Sequence, residues 1–365
     1  MKKNIKVFGV AFDPNDNRSK LLIKYNYIQA LQDNRIKQPN YLDPYDYLLA
    51  QSIYLKEIQF MKIGKFPVES WLTPKPSAED LDFINPTDYK IFLESDGCLE
   101  YRHKLEKYLE KNINDELPLM IGVDHSSTGA FLSFLSKKHG KENVSCIILD
   151  GHFDAIPSSI RIGLAKYASE NNIETSNVLL NSEDIDKLQD IKDYYNCGTF
   201  LKYIIEENII DPNNIFVIGF YDYPSDDLKK VDDENVKKFV LEFEKYEKMG
   251  VNLLPKTQDF NKFKTDLQNL IEKINTKQVM ISTDVDVGAG KSVLAARFID
   301  AFGFNYNEML QIFGVISKTI KRNNIELIGI DFTEIETIFL GKTLKDGTKD
   351  RTLDLFDEFL DRFIK

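Results

Sequence analysis

Cysteine and histidine are both scarce in this chain of 365 residues, with three of the former and four of the latter. Cys98, Cys146 and Cys197 stand far apart, form no C-x-x-C pair and leave an odd one over. That count excludes a disulfide framework and points to reduced thiols in the cytosol. Cys146, inside the apolar run Val144 to Leu149, reads as core packing. No stretch approaches the roughly 18 consecutive apolar residues of a membrane span. No long apolar segment or small-residue cleavage site follows Met1-Lys2-Lys3-Asn4-Ile5. Cytoplasmic residence, away from membranes, is the expectation. Self-similarity at a period of roughly 20 to 50 residues is also absent, which excludes solenoids and propellers. Positive charge is short too. Forty-seven Lys and Arg against 58 Asp and Glu leave a net charge of -11, which disfavours nucleic acid as a partner and suits cations.

What is present is an ordinary globular composition, 42% apolar and 29% charged. A chain of this length hides roughly 75% of its unfolded surface, so the reading is one α/β domain over residues 1–365. The stretch 33–118, rich in Tyr, Asp, Pro and Lys without clear strand and helix alternation, reads as a divergent elaboration on it. Elsewhere short apolar runs alternate with amphipathic stretches, the pattern of βα units around a mainly parallel sheet flanked by helices. The expected strands are Ile5 to Phe12, Pro118 to Val123, Val144 to Leu149, Ile215 to Phe220, Gln278 to Thr283 and Glu326 to Ile330. Helical stripes follow at Ala130, Phe131, Phe134 and Leu135, at Val236, Phe239, Val240 and Phe243, and at Met309, Leu310, Phe313, Ile316 and Ile320. A last stripe is Leu353, Phe356, Phe359, Leu360 and Phe363. Such faces are core. Ser126, Ser127 and Thr128 are candidate caps for the first of these helices.

Three of the strands end in His and Asp: Asp124-His125-Ser126, Asp150-Gly151-His152-Phe153-Asp154 and Asp284-Val285-Asp286. The carboxyl edge is where open α/β sheets bind ligands. Alternate residues of an extended segment share a face, so Asp150, His152 and Asp154 can converge, as can Asp284 and Asp286. With His125 they make four carboxylates and two imidazoles, enough for two cations. Unpaired, the carboxylates would repel one another and raise their own pKa values. Hard oxygen donors with imidazole and no thiolate favour Mn(II) or a similar first-row ion over structural zinc. Each piece alone is weak, since Asp pairs often cap turns and a single His is commonly a core residue. The combination carries the reading. His103 and His139, in charged helical sequence, read as solvated surface.

The segments Gly122 to Ser126, Asp150 to Asp154 and Ser282 to Asp286 resemble, in order and rough spacing, the three metal motifs of the ureohydrolase superfamily of arginase, agmatinase and formiminoglutamase. Ile218-Gly219-Phe220-Tyr221-Asp222 and Gly329-Ile330-Asp331-Phe332-Thr333-Glu334 resemble two further strand ends of the family. The likeness runs from about Pro118 to Ile335, and Phe8 to Asp13 resembles the first strand. It implies a three-layer arginase-like fold and two Mn(II) per chain. One ion would be held by His125, Asp150, Asp154 and Asp284, the other by Asp150, His152, Asp284 and Asp286. It also implies hydrolysis of a guanidino carbon–nitrogen bond to urea and an amine, with Asp154 accepting a hydrogen bond from the attacking oxygen. Glu334 would receive the guanidinium, with Asp331 as nearby support, Glu336 as the alternative if the register is off by two, and Lys291 and Asp222 near the substrate. The family forms trimers or hexamers, so a homo-oligomer is implied, though no subunit interface is legible.

Departures from the pattern bear on substrate. Arginases carry a Ser-Gly pair and a proton-shuttling His after the D-x-H-x-D segment, whereas this chain has Ala155-Ile156-Pro157-Ser158-Ser159-Ile160-Arg161 and no histidine after His152. Relatives carry Asp-Pro soon after the D-x-D, whereas this chain has Val287-Gly288-Ala289-Gly290-Lys291-Ser292, and Tyr221 stands where they have Arg. The expectation is therefore a substrate other than free arginine: agmatine, another guanidino compound, or an arginine side chain within a peptide. Competing readings are a non-catalytic binding or regulatory protein on the same fold, and a single-zinc deacetylase on the related fold, which leaves His125 and Asp154 unexplained. Gly288-Ala289-Gly290-Lys291-Ser292 resembles a phosphate-binding loop but has Val285 where that pattern needs Gly.

Overall fold

Successive residues of the apolar runs turn to opposite sides of one sheet, and that alternation builds the layers. A computed structural model describes residues 4–173, 192–299, 302–345 and 347–364. Its strands are β1 (Ile5–Val10), β2 (Phe60–Lys65), β3 (Leu117–Gly122), β4 (Val144–Leu149), β5 (Ile215–Ile218), β6 (Asn252–Leu254), β7 (Gln278–Asp284) and β8 (Glu326–Thr333). They form one eight-stranded sheet in the order β2-β1-β3-β8-β7-β4-β5-β6, with every pairing parallel. Val7, Leu119, Ile121, Ile147, Leu149 and Ile281 face one apolar cluster, which the helices Phe260–Ile271, Tyr306–Arg322 and Thr352–Ile364 close. Phe8, Val10, Met120, Cys146, Ile148 and Met280 face the other, closed by Gly97–Asn112, Ser126–His139 and Glu234–Lys248. Each fully buried Leu, Ile or Phe contributes roughly 1.5–3 kcal/mol, and both faces are covered, as an all-parallel sheet requires. The expected three-layer α/β architecture, with a parallel sheet between two layers of helices, holds.

The helical stripes read from sequence lie on the described helices, although Leu310 and Leu353 are only partly buried. Two strands escaped the reading. β6 is three residues long, and β2 is a half-exposed edge strand with Lys62, Gly64 and Lys65 in it. Lysines on an edge block pairing with another chain, at the cost of the apolar alternation that would reveal the strand. The stretch 33–118 is therefore not without elements. It supplies β2 and the helices Pro44–Gln51, Ile53–Glu57, Pro86–Glu94 and Gly97–Asn112. The cap expectation also needs correction: Asp124, not a Ser or Thr, accepts from the Ser126 amide at 3.1 Å as the helix begins. No described helix is long and apolar enough to cross a membrane.

Candidate metal centre

Because all strands run one way, the ends of β3, β4, β7 and β8 meet at one edge, and six predicted side chains gather there. His125, at the N-cap of Ser126–His139, is fully buried. Its Nδ1 lies 3.0 Å from Asp154, 3.2 Å from Asp150 and 3.3 Å from Asp284. His152 Nδ1 lies 2.8 Å from Asp286 Oδ2. Two groups result, each with its ligand atoms within 4.8 Å of one another: His125, Asp150, Asp154 and Asp284, then Asp150, His152 and Asp286. Asp150 belongs to both. Asp284 is not in the second group, where the family pattern would also place it.

The convergence does not come from an extended pleat. Strand β4 stops at Leu149, and 150–156 is a turn in which Asp150 Oδ1 accepts from the His152 amide at 2.7 Å. Asp286 sits on a 3-10 turn, where its amide donates to Asp284 Oδ1 at 2.8 Å and its Oδ1 accepts from the Gly151 amide at 2.8 Å. Turning sends Asp154 towards His125 and His152 towards Asp286. One segment thus serves two adjoining points.

Donor counting fixes the His125 ring. Asp331, fully buried, accepts from the Ser282 hydroxyl at 2.6 Å and from Thr128 at 2.9 Å. Ser282, having given its proton to Asp331, accepts from His125 Nε2 at 3.0 Å. With the proton of Nε2 so placed, Nδ1 is the ring atom that faces the carboxylates, and it can present a lone pair there once a cation displaces its proton. Asp331 therefore acts through Ser282 on the ring rather than lying in the cluster.

The electrostatics ask for a cation. Burial, then the charges of Asp154 and Asp286, hold Asp150 well above the usual carboxylate range; burial, then Asp286 and Asp150, do the same for Asp284. Burial would raise Asp286, but His152, the Gly151 amide and Asp284 together lower it. Burial alone would lower His125, but its three carboxylate neighbours raise it well above 6.5. Asp150 Oδ2 and Asp286 Oδ2 are buried and receive no backbone or hydroxyl donor; each faces an imidazole nitrogen, His125 Nδ1 at 3.2 Å and His152 Nδ1 at 2.8 Å, and a buried carboxylate oxygen without a full complement of partners is costly. The donor set, carboxylate and imidazole without thiolate, fits a first-row divalent ion.

Glu334 follows β8 with φ +60°, is buried, and accepts from the His125 amide at 2.9 Å. Its Oε2 has no hydrogen bond. Burial pushes its carboxyl up to about 8, partly offset by Arg297. Glu336 is instead half-buried and pairs with Lys20 at 3.0 Å, so the register with Glu334 inward is the observed one. Asp222 accepts from the Phe153 amide at 3.1 Å and from Arg161 at 3.0 Å, which ties it to the 150–154 turn. Lys291 is exposed on a turn and makes no ion pair among the described residues.

Arg297 was not anticipated. It is buried, donates to Val123 O and Asp124 Oδ2 at 3.0 Å each and to Asp13, and its Nε lies 3.6 Å from Glu334 Oε2. Lys24 reaches the same Asp13 at 3.1 Å. Cys197 completes a group with Asp124 and Glu334 beside this network. The one signal for Arg297 was a lone cation within the apolar run Val293 to Phe298.

The Arginase family model matches residues 35–343. A curated arginase of Staphylococcus aureus strain COL is 24% identical over 225 residues, 58% of this chain and 60% of its own length. The chain thus spans about three fifths of that relative. Among solved structures, a proclavaminate amidino hydrolase from Streptomyces clavuligerus aligns at TM-score 0.56 and 16% identity, over 99% of this chain and 92% of that one. A formimidoylglutamase from Bacillus subtilis subsp. subtilis str. 168 aligns at 0.55 and 14%, over 99% and 86%. At these identities the likeness concerns the fold.

Proposed function

Because this chain belongs to the arginase family, we propose that it hydrolyses a guanidino carbon–nitrogen bond to urea and an amine, using two Mn(II) ions. The observation that carries this reading is the pair of adjoining His and Asp groups sharing Asp150, with Asp150 Oδ2 and Asp286 Oδ2 buried and each turned to an imidazole nitrogen of its group. When bound, such a pair of ions lowers the pKa of a shared water so that a nucleophile exists at neutral pH. His125, Asp150, Asp154 and Asp284 would hold one ion. Asp150, His152 and Asp286, with Asp284, would hold the other. Asp154 would steer the attacking oxygen, and Glu334 would pair through Oε2 with the substrate's planar cation. Asp331 keeps His125 in the ligating tautomer. Free thiols at Cys98, Cys146 and Cys197 support a cytosolic setting.

The substrate is a guanidino compound other than free arginine: agmatine, a similar amine, or peptidyl arginine. No histidine follows His152, and the cation of the following loop, Arg161, is already taken by Asp222 and the Phe153 carbonyl. Residues 155–161 therefore leave no cation for an α-carboxylate. The test is elemental analysis of the purified protein followed by urea release from arginine, agmatine and arginine-containing peptides. Two Mn per chain, with urea from agmatine or a peptide and little from arginine, is expected. Asp284→Ala should remove both metal retention and turnover, and turnover that survives this change would sink the reading. One Zn per chain would favour a deacetylase, and no metal a binding protein.

A further inference from the structure

The two imidazoles are held from behind in unlike ways. His125 gives its Nε2 proton to Ser282, which Asp331 anchors in the core. His152, with a side chain 21% exposed, lies with Nε2 at 2.9 Å from the Tyr221 hydroxyl. For Nδ1 to present a lone pair beside Asp286 Oδ2, the ring proton must sit on Nε2, where the phenol oxygen accepts it. Tyr221 itself is fixed. Its amide donates to Gly151 O at 3.0 Å, and its ring packs on that of His152 at 5.1 Å and 65° and on Phe302 at 5.6 Å. Gly151 makes this fit possible: a Cβ there would stand 2.9 Å from both Tyr221 Cε1 and Asp286 Oδ1.

We propose that Tyr221 is a positioning residue that holds His152 with Nδ1 towards Asp150 and Asp286, and so sets the affinity of that half of the metal pair. This rests on the two-ion reading given above. The physical reason is local. A part-exposed imidazole has water and other ring orientations open to it, and an outer partner on the second nitrogen selects one tautomer and one orientation. Loss of such a partner typically weakens metal binding by about 10- to 100-fold. Tyr221 also stands at the position where the family pattern has Arg, a cation that could not accept this proton.

The test is titration of the metal-free full chain with Mn(II) by calorimetry, for wild type, Tyr221→Phe and Ser282→Ala. Phenylalanine keeps the ring packing and removes only the hydroxyl. Wild type should bind two equivalents. Tyr221→Phe should keep one unchanged and bind the other about 10- to 100-fold more weakly, and Ser282→Ala should weaken the equivalent that Tyr221→Phe spares. Equal binding by wild type and Tyr221→Phe overturns the proposal, as does equal weakening of both equivalents, which would mean a general loss of packing. Fewer than two equivalents in wild type instead defeats the two-ion reading, and this role with it. A measurement independent of any variant uses Zn(II) as a diamagnetic probe and nitrogen-15 spectra of the four histidines. His152 should be protonated at Nε2 and ligated at Nδ1; a ring ligated through Nε2 overturns the assignment.

Discussion

Arg297 shows how much one side chain does at this sheet edge. Its guanidinium ties Asp13, beyond β1, to Asp124, beyond β3, and lies against Glu334, beyond β8. Three carboxylates gathered around one buried fork lose it together, Asp13 keeping Lys24 at 3.1 Å, and breaking a buried pair costs about 3–5 kcal/mol. Arg297→Met should lower stability by that amount in urea melts. Arg297→Lys should recover only part, because an ammonium cannot reproduce the planar donors; full recovery would mean that charge alone matters. None of this pairing was legible beforehand, since Asp13 and Arg297 are 284 residues apart in sequence and Arg297 belongs to no motif. The six proposed ligands were legible because their spacing is local to strand ends. Their division into two groups was implied by the family resemblance and not by strand alternation, since it depends on turns at 150–156 and 285–288.

Among the elements, the helix Pro44–Gln51 is the clearest case of packing that sequence pattern could not supply. Its Tyr45 lies flat over β1 at Gly9, where an added Cβ would come within 2.6 Å of Tyr45 Cγ. Overpacking of this kind costs roughly 1–3 kcal/mol, so Gly9→Ala should lower the melting temperature, and Gly9→Ala with Tyr45→Ala should relieve the clash but lose the buried ring. A single Gly9→Ala change that melts like wild type would show that the ring moves aside freely. The central strands were readable from runs of Val and Ile buried on both faces. β2 was not, because an edge strand with one solvent side and three positions of Lys or Gly carries no such run. The short helices of 33–118 begin at Asp43-Pro44, Ser52 and Asn85-Pro86, where side-chain caps and N-terminal prolines do the work of periodicity.

The whole molecule pays for its sheet edge in pH dependence. Asp150 and Asp284 have pKa values raised on folding, as has His125. A raised folded pKa means more protons bound in the folded state, so the stability contributed is present at low pH and is lost as pH climbs above about 4 for the carboxylates. Divalent ions should reverse this by displacing those protons. The gap in melting temperature between Mn(II)-saturated and chelator-treated protein should therefore widen from pH 5 to pH 8, and a hundredfold excess over Kd should add about 2.7 kcal/mol. A gap that stays flat would speak against proton displacement. The strand order has a consequence in time as well. β7 and β8, late in the chain, are inserted between β3 and β4, so the earlier strands form two separate half-sheets with no shared border until the last third arrives. Closure then brings His125 to Asp284 and Glu334 in one step, and a nascent chain lacking β7 would have nowhere to keep an ion.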